Sequence, residues 1–364
     1  MRDANIITLY KNKGDRSDCN NSRGIPLLSI VGKVIARVLA RLQKLAERVY
    51  PESQCGFHAE RSTIDMVFSV HQLQEKCREQ QIPLFIAFID LTKAFDLVSR
   101  EGLFKLLHKI GCPPIVLSLT KSFHSDMKGT VQFDGSTSVP FNIVSGVKQG
   151  CVLAPTLFSI FFSLMLRYAF GDASEGILLH THSDGRLFNL AWLKAKTKIR
   201  RVLIRDLLFA DDAAVVAHSA QHLQTLLDHF SLASKEFGFS NSLKKTNILC
   251  QGTPSPPSIF IDNTKLVVVH RFNYLGSTVT DNLSLDAELD IRFGKAATTL
   301  GCLTSRVWNN SKLTTKTKMA IYNACVISTL LYGSESWPTY SRQEKRLDVF
   351  YLRSLHKVLG IAWR

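Results

Sequence analysis

The sequence predicts an α+β protein built from more than one linked unit, and three observations carry that reading. The run Leu84-Phe85-Ile86-Ala87-Phe88-Ile89 is apolar at every position, as in a strand covered on both faces, and it ends on Asp90. Two further apolar arms, Leu207–Ala210 and Ala213–Ala217, flank Asp211-Asp212, which reads as the two-residue turn of a hairpin. Around these strands lie segments of helical period, and 364 residues exceed what one ordinary core organises.

In chain order, Leu9–Asp15 reads as a polar basic loop. A helix is predicted from about Leu28 to Val49, with Ile30, Val34, Ile35, Val38, Leu42 and Leu45 at helical spacing and Lys33, Arg37, Arg41, Lys44 and Arg48 on a basic face. A second helix starts at Ser62, capped with Asp65 three residues on, and runs to about Gln80. After the strand ending at Ile89, Ser99 caps a helix that Gly111 stops, with Pro113-Pro114 beyond. A strand pair turns at Asp134-Gly135, the loop Ser145–Gly150 follows, and a long apolar helix ends near Tyr168. Residues 172–200 read as an irregular insertion with a hairpin at Asp184-Gly185. A helix spans about Ala220–Phe237, Lys244–Leu249 reads as an edge strand, and Gly252–Ser258 as a linker. Strand-like Lys265–Val269 and hairpin-like Arg271–Val279 precede a basic, helical remainder from about Leu285.

Composition narrows the class. The net charge is +15, and it is confined to the ends: residues 1–48 hold 10 basic and 4 acidic side chains, 49–290 hold 23 of each, and 291–364 hold 12 and 3. Two basic ends around a neutral middle suit the grip of a polyanion, with acidic chemistry between them. With 45% hydrophobic and 21% charged residues the chain is globular rather than disordered. The polar start Met1-Arg2-Asp3-Ala4-Asn5 lacks the apolar core of a secretory signal, so an intracellular protein, nuclear or cytoplasmic, is expected. The uncharged run Gln149–Leu166 reads as a buried helix rather than a membrane span, since it carries Gln149, Pro155, Thr156, Ser159 and Ser163. Eight scattered cysteines without a C-x-x-C pair speak against a zinc site or a disulfide framework.

The chemistry falls in the neutral middle. Carboxylates at the ends of buried strands are costly unless paired or bound to a cation. If the tips carrying Asp90 and Asp211-Asp212 converge on one sheet edge, three carboxylates offer hard oxygen ligands to Mg²⁺. Two such ions about 3.5–4 Å apart activate an attacking hydroxyl and stabilise a leaving phosphate oxygen. An Asp-Asp pair alone is more often an ordinary turn.

The strings FIDLTKAFD (Phe88–Asp96), GVKQGCVLAPTLFS (Gly146–Ser159) and FADD (Phe209–Asp212) occur in that order. They resemble the successive palm motifs of LINE-type (non-LTR) retrotransposon reverse transcriptases. LYKNKGD near the start, QCGFHAERST (Gln54–Thr63), the KKT stretch at Lys244, FNYLGS (Phe272–Ser277) and KMAIYNACVISTLLYG (Lys318–Gly333) extend the resemblance over nearly the whole chain.

The resemblance implies a right-hand polymerase: fingers at 1–84, a palm with an antiparallel ferredoxin-like sheet at 85–279, and a helical basic thumb at 280–364. A fingers insertion is expected at about 115–142 and a primer grip at about 267–279. It implies an RNA-directed DNA polymerase that uses two Mg²⁺ ions, with Mn²⁺ as a substitute, on an RNA template, a DNA primer and dNTPs. Asp90 and Asp211 become the metal-bridging carboxylates, Asp212 their support, and the carbonyl of Leu91 a further metal ligand. Phe95 becomes the aromatic gate against the ribose 2′-hydroxyl, with a plain core phenylalanine as the lesser alternative. Gln149 and Gly150 line the nucleotide and template pocket, and Arg61 clamps the triphosphate. Lys245, with Lys244 as alternative, protonates departing pyrophosphate, and Tyr274, Leu275 and Gly276 form the primer grip.

Three departures from the family pattern stand out: His58 in place of Arg, Glu60 in place of Gly, and Phe209 in place of Tyr. The upstream endonuclease and downstream Cys/His cluster of the family's full-length proteins are not within these residues, so a polymerase core is expected. The alternative is an inactive remnant that only binds nucleic acid. An RNA-dependent RNA polymerase fits poorly with an aromatic side chain at position 95.

Overall fold

The computed structural model describes residues 3–12, 14–27, 30–39, 42–58, 60–147, 151–171, 173–182 and 199–361. These fold into two compact units, one of residues 1–62, 84–248 and 255–268, the other of 63–83, 249–254 and 269–364. This division by compactness cuts the chain elsewhere than the boundaries at 84 and 279 that the resemblance implies. The helix Thr63–Glu79 belongs to the second unit, where the Gln74 side-chain amide donates to the Thr280 carbonyl at 2.7 Å. Helical period marks a helix but not the surface on which it packs.

The centre of the first unit is the strand Leu84–Ile89, buried at all six positions. It lies in a five-stranded sheet of order Val267–Val269, Asn247–Gln251, Leu84–Ile89, Asp212–Ala217, Asp206–Phe209. Both contacts of Asp212–Ala217 are antiparallel. The segment Asn247–Gln251 is thus an inner strand, not the expected edge, because Val267–Val269 covers its far side.

Over this sheet packs the helix Ala220–Glu236, whose N-cap Ser219 accepts a bond from the His222 amide at 3.1 Å, and against that helix packs the apolar helix Leu153–Phe170. Leu153–Phe170 is long and apolar enough to cross a membrane, yet most of it is buried inside the protein. Its rings Phe158, Phe161 and Phe162 meet Phe239 edge-on, with centroids 5.6–6.3 Å apart. Such pairs add attraction beyond area burial.

The helix at Ser99 forms as predicted over Arg100–Lys109, with Ser99 accepting from the Gly102 amide at 3.2 Å. Pro114 then opens a helix that the sequence reading did not contain, Pro114–His124. The turn at Asp134-Gly135 joins Lys128–Phe133 to Ser136–Thr137 as expected. A second sheet arises on either side of the loop read at Leu9–Asp15, taking its first two residues: Ala4–Tyr10 pairs antiparallel with Ser22–Leu27 and parallel with Lys128–Phe133. The expected long helix at 28–49 is two shorter ones, Ile30–Leu39 and Gln43–Ala46. Its apolar stripe is turned outward at Ile30, Val34 and Val38, all more than half exposed, while Leu39, Leu42 and Ala46 carry the packing. Arg41 lies outside the described residues, as does the Asp184-Gly185 turn. The strands Ile177–His182 and Ile199–Ile204 that flank the latter pair antiparallel.

The second unit joins the hairpin Arg271–Tyr274 and Ser277–Thr280 to helices Thr63–Glu79, Asp286–Cys302, Thr315–Ile321 and Ser341–Leu359. Ala296, Leu300, Trp308, Tyr322, Val326 and Val358 form its core, and the Trp308 indole N–H donates to the Leu300 carbonyl at 2.8 Å. Glu288 and Arg292, one turn apart on Asp286–Cys302, form a buried ion pair at 2.6 Å.

Phe158 is wholly buried between Phe95 and Phe162. Phe158→Ala is expected to destabilise the first unit by about 3–5 kcal/mol, read as a lowered urea midpoint by circular dichroism.

Candidate active site

Asp90 directly follows Ile89, and Ile89 lies opposite Ala213, the residue after Asp212. The register therefore draws the tip of the hairpin and the end of the central strand to one sheet edge. The turn differs by one residue from the predicted one. Asp212 pairs with Phe209 and begins the returning strand, so the two turn residues are Ala210 and Asp211. Ala210 sits at φ 59°, a left-handed conformation unfavourable for a residue with a Cβ. The sequence contains no glycine or asparagine at position 210, the usual signal for such a turn, and this is why Asp211-Asp212 was the natural assignment.

Charge shapes this edge. Burial, and after it repulsion from Asp90, raises the Asp211 carboxyl above its usual range, against the attraction of Arg23 and Lys245. The packed surroundings of the tip, then Asp211 and Asp90, push Asp212 up to about 6. Water reaches the Asp212 side chain, which tempers the first cause and leaves the like charges as the firmer one. Asp90 is bound to Lys245, whose ammonium donates to its carboxylate at 2.8 Å.

Backbone pairing delivers that lysine. The Thr92 amide donates to Ser240 O at 2.9 Å and the Ser242 amide to Asp90 O at 2.8 Å. Leu91, buried, bridges to Asn241, and a turn closed by Lys245 N on Ser242 O at 3.0 Å brings Lys245 back over Asp90. Lys244, the alternative, is exposed. Among the described residues no three Asp, Glu, His or Cys side chains stand as a ready ligand set. The edge gathers charges that act on one another rather than a closed cage.

Phe95 lies on the short helix Ala94–Leu97, half-buried and stacked on Phe158 with centroids 4.4 Å apart. Its carbonyl accepts the Val147 amide at 2.9 Å, and the Gly146 amide reaches Val98 O at 2.9 Å. A Cβ on Gly146 would stand 2.7 Å from the Asp96 carbonyl, so the loop's approach to Phe95 requires glycine. Gln149 and Gly150, expected in the pocket, lie outside the described residues.

Arg61 is held by its own neighbourhood. Its guanidinium donates to the Glu52 carboxylate at 2.7 Å and to the Glu52 carbonyl at 2.5 Å. It therefore secures the segment that precedes it, and a triphosphate would compete with Glu52 for the same N–H groups. Glu60, at φ 61°, is exposed, and the His58 ring lies 6.2 Å from that of Tyr50.

The grip residues belong to the second unit. Tyr274 is buried, and Leu275 and Gly276 form the turn at φ 49° and 86°. The Tyr332 hydroxyl donates to the Leu275 carbonyl at 2.9 Å, and Arg292 donates to the Gly276 carbonyl while lying over the Tyr332 ring. Sequence reading missed Arg292 and Tyr332, and also Arg23, exposed on Ser22–Leu27 and felt by both Asp211 and Asp96. A lone charge in a strand or helix gives no periodic signal that marks it out.

An acidic edge on an antiparallel sheet, with a lysine on its first carboxylate, characterises this α+β chain. The sequence profile of the reverse transcriptase (RNA-dependent DNA polymerase) family matches residues 10–279, and the chain belongs to that family. It is 26% identical, over all of its length and 38% of the relative's, to the RNA-directed DNA polymerase from mobile element jockey of Drosophila melanogaster. It is 25% identical, over 94% of its length and 36% of the relative's, to the probable RNA-directed DNA polymerase from transposon X-element of the same organism. A type-1 retrotransposable element R2 Pol polyprotein of Popillia japonica matches 74% of the chain at 25% identity, over 36% of its own length. The chain thus spans less than two fifths of these relatives. Among solved structures, telomerase from Candida albicans aligns over the whole chain and 64% of its own, at 13% identity and a TM-score of 0.49.

The titration of Asp212 checks the charge assignment. Its carboxyl ¹³C shift should move with a midpoint near pH 6, and Asp90→Asn should lower that midpoint by removing one repelling charge. Because the folded value is raised, Asp212 contributes stability below its ordinary value of 3.8, and that contribution is lost as pH rises through about 6.

Proposed function

We propose that the chain is the polymerase portion of a non-LTR retrotransposon reverse transcriptase and extends a DNA primer on an RNA template. In this reading 1–84 act as fingers, 85–279 as palm and 280–364 as thumb, within the cell, with the basic ends on the nucleic acid. The observation that carries the proposal is the acidic edge of Asp90, Asp211 and Asp212 inside the segment that matches the family.

The donor set fits a divalent metal: carboxylate oxygens and the Leu91 carbonyl are hard ligands, and the burial and like-charge repulsion that raise Asp211 and Asp212 are what a cation relieves. Asp90, Asp211, Asp212 and the Leu91 carbonyl would hold Mg²⁺, or Mn²⁺ in its place. When bound, the ions supply Lewis acidity toward the primer hydroxyl and the departing phosphate. The primer 3′-hydroxyl gives up its proton to water and attacks the α-phosphorus of a dNTP, a new P–O bond forms, and the bond from the α-phosphorus to the oxygen of the β-phosphate breaks. Lys245, released from Asp90, gives its proton to the pyrophosphate. Phe95, braced on Phe158, excludes a 2′-hydroxyl by its bulk, and Gln149, Gly150 and Arg61 line the nucleotide. Tyr274, Leu275 and Gly276 support the primer end.

Primer extension on poly(rA)/oligo(dT) with Mg²⁺ or Mn²⁺ tests the reading. Wild type should incorporate dTTP, and Asp211→Asn should lose about a hundredfold or more. Equal incorporation by the two proteins, or none by wild type, would overturn it. Phe95→Ala should raise the ratio of ribonucleotide to deoxyribonucleotide incorporation; an unchanged ratio would return Phe95 to the core.

A further inference from the structure

The string QCGFHAERST contains a residue with no part in the chemistry above. Gln54 is wholly buried, and its amide is spent on two loops. Its carbonyl oxygen accepts the Ala210 amide at 3.0 Å and the Gly56 amide at 2.7 Å, while its N–H group donates to the Ala210 carbonyl at 3.3 Å. Both backbone groups of Ala210 are thus held by one side chain from 156 residues earlier in the chain.

The surroundings fix that side chain in turn. Gln54 bridges to Leu208 in parallel register, with the Cys55 amide on Leu208 O at 2.9 Å and the Leu208 amide on Ser53 O at 3.0 Å. The Ser53 hydroxyl donates to Asp206 at 3.1 Å, so 53–55 run as a short extra strand along the outer edge of the hairpin. Gly56 completes the fit, since a Cβ there would stand 2.0 Å from the Ala210 nitrogen. Arg61, through Glu52, anchors the near end of the segment.

Ala210 is the residue that needs such help. A left-handed alanine costs roughly 1–2 kcal/mol and persists only where its surroundings over-determine it. Its ψ sets the direction in which the chain leaves toward Asp211. We propose that Gln54 is a positioning residue for Asp211: it clamps Ala210 in the left-handed turn and thereby aims the Asp211 carboxylate along the acidic edge. This rests on the reading of Asp211 as a metal-binding carboxylate.

Mn²⁺ binding to the full chain, followed by electron paramagnetic resonance of the free ion, tests it without reliance on turnover. Wild type should bind Mn²⁺, and Asp211→Asn should abolish the tight component. Gln54→Met, which keeps the volume but not the hydrogen bonds, should weaken that component by about 10–100-fold with the far-ultraviolet circular dichroism retained. Gln54→Asn, whose amide is drawn back by one methylene, should show the same loss, so the outcome does not hang on the folding of one variant. In an Ala210→Gly background the penalty of Gln54→Met should shrink to within about threefold, because glycine takes positive φ without a Cβ cost. In primer extension kcat should fall with it while the KM for dNTP stays unchanged.

Wild-type Mn²⁺ affinity in both Gln54 variants would overturn the assignment. So would a loss that Ala210→Gly fails to recover, which would mark Gln54 as packing alone. Tight Mn²⁺ binding that survives Asp211→Asn would instead overturn the reading of Asp211 itself, and the role of Gln54 with it.

Discussion

Like charges brought to one sheet edge repel, and the first unit is organised around holding them there. Burial, and after it repulsion among the charges of this edge, raises the carboxyls of Asp211 and Asp212. The opposing forces come from distant parts of the chain: Lys245 on Asp90, Arg23 toward Asp211, and Gln54 on the backbone that precedes Asp211. None of these is near the carboxylates in sequence. The buried strand Leu84–Ile89 and the aromatic layer on Leu153–Phe170 supply the rigid base from which the edge projects.

Each unit contains a hairpin whose turn uses a left-handed residue other than glycine, Ala210 in one and Leu275 in the other. In both, a side chain from far along the chain binds the turn's own backbone: Gln54 at Ala210, Tyr332 at Leu275. A turn that is unfavourable alone becomes well defined once two or more bonds converge on it. The buried pair Glu288–Arg292 serves its hairpin in the same way, with Glu288 accepting the Thr278 amide at 2.7 Å and Arg292 reaching Gly276. Removing one partner of such a pair would leave a buried charge, so its weight lies in placing the hairpin rather than in net stability.

What the sequence disclosed was local. The strand Leu84–Ile89, the capped helix after Ser99 and the turn at Asp134-Gly135 all carry their causes within a few residues, and each forms where expected. Asp90, Asp211 and Asp212 were legible because acidic residues at apolar strand ends are costly without a purpose. The failures are non-local. The strand Ala4–Tyr10 has one of its two partners more than a hundred residues away. The outward stripe of Ile30, Val34 and Val38 has the period of a core face and none of its burial. The turn slipped by one residue because alanine carries no mark of the conformation imposed on it.

The parallel pairing of Ala4–Tyr10 with Lys128–Phe133, and of Gln54 with Leu208, bears on the order of events during synthesis. Contacts of such sequence separation close large loops and form late. A nascent chain released before residue 217 contains the helices Ile30–Leu39 and Thr63–Glu79 and the strand ending at Asp90 but no complete hairpin to receive Gln54. On the ribosome, the partners of Ser53–Gly56 in the hairpin emerge only after some 150 further residues. The acidic edge thus depends on contacts whose partners lie far apart in the chain.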